Sequence, residues 1–230
     1  MYRLSEKDIQ LGRGEPITDS AIVISSMVDA VMLRLSSHED IIEFSKHSTK
    51  PVINALSDES HPCQILADLM TYQEQRGAIK GKKIAWIGDG CNVCQTYMQA
   101  ANIFDFSLSI ATPKAYEPSQ SYVDKYQNNV EYFNKPLDAC VDADIIVTDV
   151  WTSMGQESEK KQRELAFMGF QVDQNMMNQA KKNAIFMHCL PAYREKEVSS
   201  EVIDGNQSVV WSEAENRLHV QKAIMLWLMK

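Results

Sequence analysis

Short apolar runs alternate with amphipathic stretches from about residue 82 to the end of the chain. Several of these runs are almost continuously apolar, as is typical of strands that are buried on both faces of a parallel sheet. The predicted strands cover residues 83–88, 107–111, 130–133, 144–148, 184–188 and 208–211. The helices predicted between them cover about 93–103, 119–128 and 174–181. This alternation predicts βαβ units and a doubly wound sheet.

The first 80 residues follow the same alternation less completely. Their predicted elements are a helix capped by Thr18 or Asp19 and running to about Val28, a strand over 30–35, a helix from about Glu39, a strand over 51–54 and a long helix over 61–75. A two-stranded parallel sheet is a poor core, so this part of the chain is expected to be incomplete as a domain.

We therefore predict an α/β fold of two doubly wound parallel-sheet domains, of which the first is incomplete. Gly77 marks the predicted boundary, with residues 1–77 in the first domain and residues 78–214 in the second. A final amphipathic helix over 215–230 is expected to pack back on the first domain.

Composition and charge exclude several classes of protein. The net charge of -8 argues against a nucleic-acid binder, because no basic field would attract a polyanion. No stretch approaches the ~18 uninterrupted apolar residues of a membrane helix. Residues 1–7 contain no apolar core of a secretory signal. We expect a chain that binds neither nucleic acid nor membrane.

The five cysteines are an odd number scattered through an α/β pattern, which indicates reduced thiols and a cytoplasmic protein. Cys91 and Cys94 form a C-x-x-C pair. Zinc would need two further ligands at suitable spacing, and the sequence has no second pair. A redox role of the two thiols remains the alternative to a purely structural one.

Candidate ligand-binding residues follow the predicted strands at their carboxyl ends, where parallel sheets bind ligands. They are Asp89 and Asn92 after strand 83–88, Asp149, Ser153 and Met154 after 144–148, Cys189 and Leu190 after 184–188, and Glu213 and Arg217 after 208–211. Arg34 lies near the end of its own strand, and His61 and Gln64 open the long helix. These side chains are expected to converge around one pocket.

Each residue also has a purely structural interpretation. His61 alone is typical of a capped surface histidine, Asp149 of a turn cap, and Cys189 of a small buried hydrophobe. Arg217 could equally pair with Glu213 on a solvated face.

Two further segments have alternative interpretations. The turn at 88–90 resembles half of a dinucleotide fingerprint, but Val93 stands where the third glycine is required. The charged run 157–164 is either a solvated face or part of a mobile lid, because it follows a Ser-Met-Gly segment directly.

Four short motifs together resemble those of the ornithine carbamoyltransferases. They are His-Pro-x-Gln at 61–64, Asp-x-x-x-Ser-Met-Gly at 149–155, His-Cys-Leu-Pro at 188–191 and Glu-Asn-Arg at 215–217. They occur in the family's order and spacing, and the resemblance runs from about Asp8 to the C-terminus. Ser-Met-Gly and His-Cys-Leu-Pro distinguish the family from its aspartate-using relatives, whereas His-Pro-x-Gln is shared by the superfamily. The resemblance implies the carbamoyltransferase type of two-domain fold.

The resemblance also implies that the substrates are carbamoyl phosphate and L-ornithine, that the products are citrulline and phosphate, and that no metal or organic cofactor is required. The implied carbamoyl-phosphate ligands are Arg34, His61, Gln64, Cys189, Leu190 and Arg217. The implied ornithine ligands are Asn92, Asp149, Ser153 and Met154. The implied catalytic residues are Asp149, Cys189, His61 and Arg217. A dianionic leaving group and a developing oxyanion both need fixed donors in a dry site, which agrees with this set.

The sequence departs from the family in two places. The family's Ser-Thr-Arg-Thr-Arg phosphate loop has no counterpart, so we expect an N-terminally truncated chain. Its activity, and the homotrimer of the full-length family, are therefore open questions. Cys91 replaces an asparagine that commonly precedes Asn92.

Three hypotheses follow from these observations. The chain is a carbamoyltransferase, a catalytically dead remnant that still binds ornithine, or a non-enzymatic α/β binding module. Within the enzyme class, putrescine and acetylated ornithine are alternative acceptors.

Overall fold

The computed structural model describes residues 14–152 and 157–230, which form two parallel sheets surrounded by helices. The first sheet contains β1 (Val31–Arg34) and β2 (Val52–Leu56). The second contains β3 (Lys83–Ile87), β4 (Ser107–Ala111), β5 (Val130–Phe133), β6 (Ile145–Thr148) and β7 (Ile185–His188). The helices are α1 (Ile17–Ser25), α2 (His38–His47), α3 (Pro62–Arg76), α4 (Asn92–Phe104), α5 (Gln120–Lys125), α6 (Pro136–Cys140), α7 (Lys160–Ala166), α8 (Gln174–Gln179), α9 (Ser200–Ile203) and α10 (Val210–Leu228), with one 3-10 turn at Glu157–Glu159. The predicted α/β class with parallel sheets is confirmed.

The second sheet has the strand order β5-β4-β3-β6-β7, and every neighbouring pair is parallel. The chain enters at the centre with β3, builds outwards through β4 and β5, and returns to the other side of β3 with β6 and β7. The connections that leave β3 and β6 therefore diverge, and a crevice opens at the C-terminal ends of these two strands.

The central strands are buried on both faces, which explains their continuously apolar sequences. In β3, Ile84 and Trp86 belong to a core cluster that includes residues of α3 and α4. Ala85 and Ile87 point the other way, into a second cluster with residues of α6, α8 and α9. Alternation along one strand thus fills both layers and holds the strand ends rigidly in place.

The first sheet has a much smaller core. Ala21, Val31 and Phe44 form its one cluster of buried apolar residues among the described residues, and Ile41 and Ile53 are also buried. The helix α1 begins after Pro16, so the prediction that Thr18 or Asp19 caps it is wrong. Pro16 is the residue before the first helical turn, and no side-chain hydrogen bond caps this end of the helix.

The strand predicted over 208–211 is wrong. Ser208 forms a single parallel bridge with Phe186, and α10 begins at Val210. A short apolar run does not by itself distinguish a strand from the first turn of a helix. Here Val210 is buried and Trp211 is 64% exposed, as on the two sides of a helix. The correction moves Glu213 from a strand end to the first turn of α10.

Helix α10 packs along α3, the long helix that ends at Gly77. Asn216 on α10 strengthens the contact by donating hydrogen bonds to Thr71 Oγ1 at 2.9 Å and to Glu74 Oε2 at 2.8 Å. None of the helices in the described ranges combines the length and the apolar character that a membrane crossing requires.

Candidate active site

Contacts between four elements bring Asp149, Cys189, Gln64 and Glu213 together at the crevice. Cys189 Sγ, just after β7, donates to Asp149 Oδ1, just after β6, at 3.1 Å. On α3, Gln64 Nε2 donates to Glu213 Oε1 of α10 at 2.9 Å. The other oxygen of Glu213 accepts from the backbone N–H of His188 at the end of β7, also at 2.9 Å. The ends of α3, β6, β7 and α10 are thus joined around one region.

His61 precedes the first turn of α3 and is 4% exposed. Its backbone N–H donates to Thr96 Oγ1 of α4 at 2.8 Å, which fixes its position. Its ring Nδ1 is buried and has no hydrogen-bond partner among the described residues. Burial, followed by the positive charges of Arg217 and Arg34, lowers the pKa of His61 to about 3. The imidazole is therefore neutral near pH 7 and can donate through one ring nitrogen. The interpretation of His61 as a surface histidine is wrong.

Arg34 and Arg217 approach His61 from two elements, the end of β1 and the second turn of α10. Arg34 is exposed and Arg217 is partly buried. The arginine ion pairs of the described ranges involve Arg163 and Arg194, so the charges of Arg34 and Arg217 are available to an anion. The alternative that Arg217 pairs with Glu213 on a solvated face is wrong, because Glu213 is buried and bonded elsewhere.

Gln64 is fully buried on the first turn of α3, and its amide nitrogen donates two hydrogen bonds. One goes to Asp68 Oδ1 and the other to Glu213 Oε1, both at 2.9 Å. Its Oε1 has no partner among the described residues. Gln64 Oε1 can therefore accept a hydrogen bond from a ligand, whereas the amide nitrogen already donates both of its hydrogens.

Asp149 is 7% exposed and lies between two thiols. Cys189 Sγ is 3.1 Å from its Oδ1, and Cys91 Sγ is 3.7 Å from its Oδ2. Asp149 Oδ1 also accepts from the backbone N–H of the adjacent Val150 at 2.7 Å, and its interpretation as a turn cap stays a prediction. Burial and the neighbouring Asp149 charge raise the pKa of Cys189 well above its ordinary value. Cys189 is thus a thiol that donates, not a thiolate nucleophile.

Leu190 has a φ angle of +53°, in the left-handed region that a leucine rarely adopts, and its bond to Pro191 is cis. Its backbone N–H donates to His188 Nδ1 at 2.9 Å. Left-handed backbone in a residue other than glycine clusters at ligand sites. Since that N–H is occupied, the main chain here can offer only carbonyl oxygens to a substrate amino group.

Asn92 is the first residue of α4, at the edge of the crevice. Its Nδ2 donates to the carbonyl oxygen of Ser57 at 2.7 Å, so it ties α4 to the loop that follows β2. Ser153 and Met154, also predicted to bind ornithine, lie outside the described residues.

Three potential metal ligands lie close together at the ends of β6 and β7. Ligand atoms of Asp149, His188 and Cys189 are within 4.8 Å of one another. However, His188 Nδ1 accepts from Leu190, and its Nε2 faces Glu197 Oε1 at 3.3 Å. Both nitrogens of this buried ring are engaged, which leaves two ligands instead of three or four. The group does not fit a metal centre.

Two buried residues near the site, Asp68 and Arg163, were not among the predicted site residues. Asp68 lies four residues after Gln64, and this helical spacing was the available signal. Arg163 was assigned to a charged run, but it is 7% exposed and its Nη1 contacts Asp89 Oδ2 at 2.7 Å. The interpretation of 157–164 as a wholly solvated face is therefore wrong. The lid hypothesis stays a prediction, since residues 153–156 are outside the described ranges.

Comparisons with known proteins give the same family for both parts of the chain. The carbamoyl-P binding domain of aspartate/ornithine carbamoyltransferases matches residues 1–74, and the Asp/Orn binding domain matches 80–228. The ornithine carbamoyltransferase of Ruthia magnifica subsp. Calyptogena magnifica is 62% identical over 226 residues, covering 98% of this chain and 76% of that protein. That of Acinetobacter baylyi is 56% identical over 226 residues, covering 98% and 74%.

Solved structures agree. The ornithine carbamoyltransferase of Burkholderia thailandensis superposes with a TM-score of 0.89 at 50% identity, covering 96% of this chain and 73% of that one. The Pyrococcus furiosus enzyme gives a TM-score of 0.92 at 46% identity, covering 98% and 74%. This chain thus spans about three quarters of its relatives' length. With both domain models matched and about half or more of its residues shared with these relatives, the chain belongs to the ornithine carbamoyltransferases of the aspartate/ornithine carbamoyltransferase family.

Proposed function

We propose that this chain transfers the carbamoyl group of carbamoyl phosphate to the side-chain amine of L-ornithine and releases citrulline and phosphate. The observation that carries the proposal is the neutral, buried His61 within reach of the charges of Arg34 and Arg217, together with the unpartnered Oε1 of Gln64 one turn further along α3. Such a group has the donors and the acceptor that a carbamoyl phosphate requires. The names of the relatives point to the same reaction.

For carbamoyl phosphate, each group of the substrate has a complementary residue. Arg34 and Arg217 bind the phosphate, because guanidinium groups make planar multi-point contacts with it. The ring N–H of His61 donates to the carbonyl oxygen, where negative charge develops during attack. Gln64 Oε1 and the main-chain carbonyls at Cys189 and Leu190 accept from the amino group.

For ornithine, Asp149 and Cys189 orient the side-chain amine, and Asn92, Ser153 and Met154 bind the α-amino and α-carboxylate groups. The amine first loses a proton to solvent, since only its neutral form is a nucleophile. Its nitrogen then forms a bond to the carbamoyl carbon. The bond from that carbon to the phosphate oxygen breaks, phosphate leaves with the electron pair, and it takes the second amine proton.

The expected location is the cytoplasm. The five cysteines are all free thiols. Two of them, Cys91 and Cys189, contact the carboxylate of Asp149. A reducing compartment would keep these thiols in the form that the site uses.

The test is a citrulline and phosphate assay on the full chain, with ornithine, putrescine and acetylated ornithine as acceptors. We expect equal amounts of citrulline and phosphate with ornithine. Arg217→Met is expected to lower the rate by ~10²–10³, as for loss of a main transition-state contact. Arg194→Met is the matched control, because Arg194 forms only an exposed ion pair with Asp204.

The possible outcomes separate the hypotheses. Ornithine binding in a calorimeter without any citrulline would identify a dead remnant. Faster turnover of putrescine or acetylated ornithine would refute the proposed acceptor. Wild-type turnover by Arg217→Met would refute the proposed phosphate contact.

A further inference from the structure

Two acidic side chains lie in contact behind the crevice, where charge is costly. Asp68 on α3 is 2% exposed and Glu213 on α10 is 1% exposed. Both carboxyl groups accept a hydrogen bond from the same nitrogen, Gln64 Nε2, so they lie side by side. Two adjacent buried carboxylates do not both ionise, so the pair carries one negative charge.

Each of the four oxygens of the pair also accepts from a neighbour. Gln64 Nε2 donates to Asp68 Oδ1 and to Glu213 Oε1, both at 2.9 Å. Tyr97 Oη donates to Asp68 Oδ2 at 2.6 Å, a length typical of a bond to an ionised carboxylate. The backbone N–H of His188 donates to Glu213 Oε2 at 2.9 Å. The short bond from Tyr97 favours the charge on Asp68 and the proton on Glu213.

Three charged or titratable side chains act on the pair. They are Tyr97 on α4, Arg217 on α10 and Cys189 after β7. Burial raises the pKa of Asp68 to about 6. Burial, followed by the Asp68 charge, raises the pKa of Glu213 well above its ordinary value. The single proton is therefore retained through neutral pH.

We propose that Asp68 and Glu213 share one proton and act together as positioning residues, which fix the amide of Gln64 so that its oxygen faces the carbamoyl group. With both N–H groups of Gln64 held by the pair, its Oε1 has no partner among the described residues. The reversed amide would place that oxygen against two acidic oxygens. The role of Gln64 as acceptor rests on the proposed function, whereas the shared proton does not.

Helix α10 thereby contributes to the candidate site as well as to the core. Glu213 bridges Gln64, which faces the carbamoyl amino group, and the backbone at His188, which leads into Cys189 and Leu190. The side chain of Glu213 thus helps to position both proposed acceptors of that amino group. A shift of Glu213 would change both at once.

The first experiment measures ligand affinity by calorimetry on the full chain, so that it does not depend on turnover. The probes are phosphonoacetamide, an unreactive analogue of carbamoyl phosphate with a methylene bridge, and inorganic phosphate, which lacks the amide. In Glu213→Gln, one amide cannot accept from both Gln64 and His188. We expect about tenfold weaker phosphonoacetamide binding, the loss of roughly one hydrogen bond, and unchanged phosphate binding.

The matched control is Glu215→Gln, two residues further along α10, whose side chain is 74% exposed. It should leave both affinities unchanged. In a Gln64→Ala background, Glu213→Gln should cause a smaller loss of phosphonoacetamide affinity than in the wild-type chain, because part of the effect of Glu213 passes through Gln64. Equal loss for both probes, additive losses in the double variant, or a wild-type chain without preference for the amide would each overturn the positioning role.

The second experiment uses the wild-type chain, so it does not depend on whether a variant folds. Infrared spectra of the wild-type chain at pH 8 should contain the C=O band of a protonated carboxyl group, and heating through unfolding should remove it, since free carboxyls are ionised there. Absence of the band in the folded chain would overturn the shared proton. A chain with the band and the amide preference but without citrulline formation would retain this inference and refute the proposed reaction.

Discussion

The ion pair between Arg163 on α7 and Asp89 after β3 gives a prediction whose magnitude follows from its burial. Arg163 is 7% and Asp89 6% exposed, and Nη1 and Oδ2 are 2.7 Å apart. Arg163 Nη1 also donates to the carbonyl oxygen of Trp151 at 3.1 Å, and its guanidinium lies 4.8 Å from the ring centre of Tyr116. The pair thus anchors the segment that follows Asp149 against the central strand.

Arg163→Met keeps an apolar stem of similar length but leaves the Asp89 carboxylate buried without its partner. With charge centres ~4 Å apart and an effective dielectric of ~20, the lost attraction is about 4 kcal/mol. Measured losses for one partner of a buried pair are ~3–5 kcal/mol. We therefore expect the free energy of unfolding to fall by about 3–5 kcal/mol at pH 8.

The loss of unfolding free energy in Arg163→Met is expected to depend on pH. Burial raises the pKa of Asp89 to about 6 even with Arg163 present, above the ~3.9 of an unfolded aspartate. A raised folded-state pKa contributes stability that is present below pH ~4 and is lost as the pH rises through the folded pKa. Without Arg163 that pKa rises further, so the loss extends to higher pH. The deficit of Arg163→Met is expected to be larger at pH 8 than at pH 5.

Urea titrations followed by tryptophan fluorescence at both pH values measure this difference. The double variant Asp89→Asn with Arg163→Met is the control, because it removes the buried charge and should recover much of the loss. A deficit under about 1 kcal/mol at pH 8, or one of equal size at both pH values, would refute the reasoning.

Three further predictions concern other parts of the site. His61→Leu is expected to lower kcat by ~10²–10³ in the citrulline assay, because it removes a donor to the developing oxyanion; a loss below tenfold would contradict this role. Asn92→Ala removes the 2.7 Å bond to the Ser57 carbonyl together with the proposed contact to ornithine, and should weaken ornithine binding about tenfold in calorimetry. Unchanged affinity would count against Asn92 as an ornithine ligand. Gly90→Ala would overlap the backbone nitrogen of Pro118 and should destabilise the chain by ~1–3 kcal/mol in urea titrations; wild-type stability would show that this loop moves aside.

The strands of the second sheet were predictable because they are buried on both faces. The predictions for β4 and β5 coincide with the observed bounds, and those for β3, β6 and β7 begin or end one residue away. The short helices α6, α7 and α9 were missed, since four to seven residues are too few for a helical period to be recognised. The apolar residues before Glu213 were assigned to a strand for the same reason.

Much of the candidate site could also be predicted, because the ends of parallel strands converge whatever their sequence. The rule brought Asp149 and Cys189 together correctly, although their roles remain predictions. It could not identify Asp68, and it named Glu213 only by way of a strand that is not present. Acidic residues are rarely fully buried, and a sequence does not show which of them gains enough partners to offset the cost of desolvation.

The contact between α3 and α10 has a consequence for biosynthesis. Gln64 and Glu213 are 149 positions apart. At a translation speed of ~5–20 residues per second, roughly 7–30 s pass between their incorporation. In that interval all five strands of the second sheet are synthesised, while the polar face of α3 remains exposed to water. Pairings of such high contact order form slowly, so the nascent chain acquires its reaction centre only after its core is built.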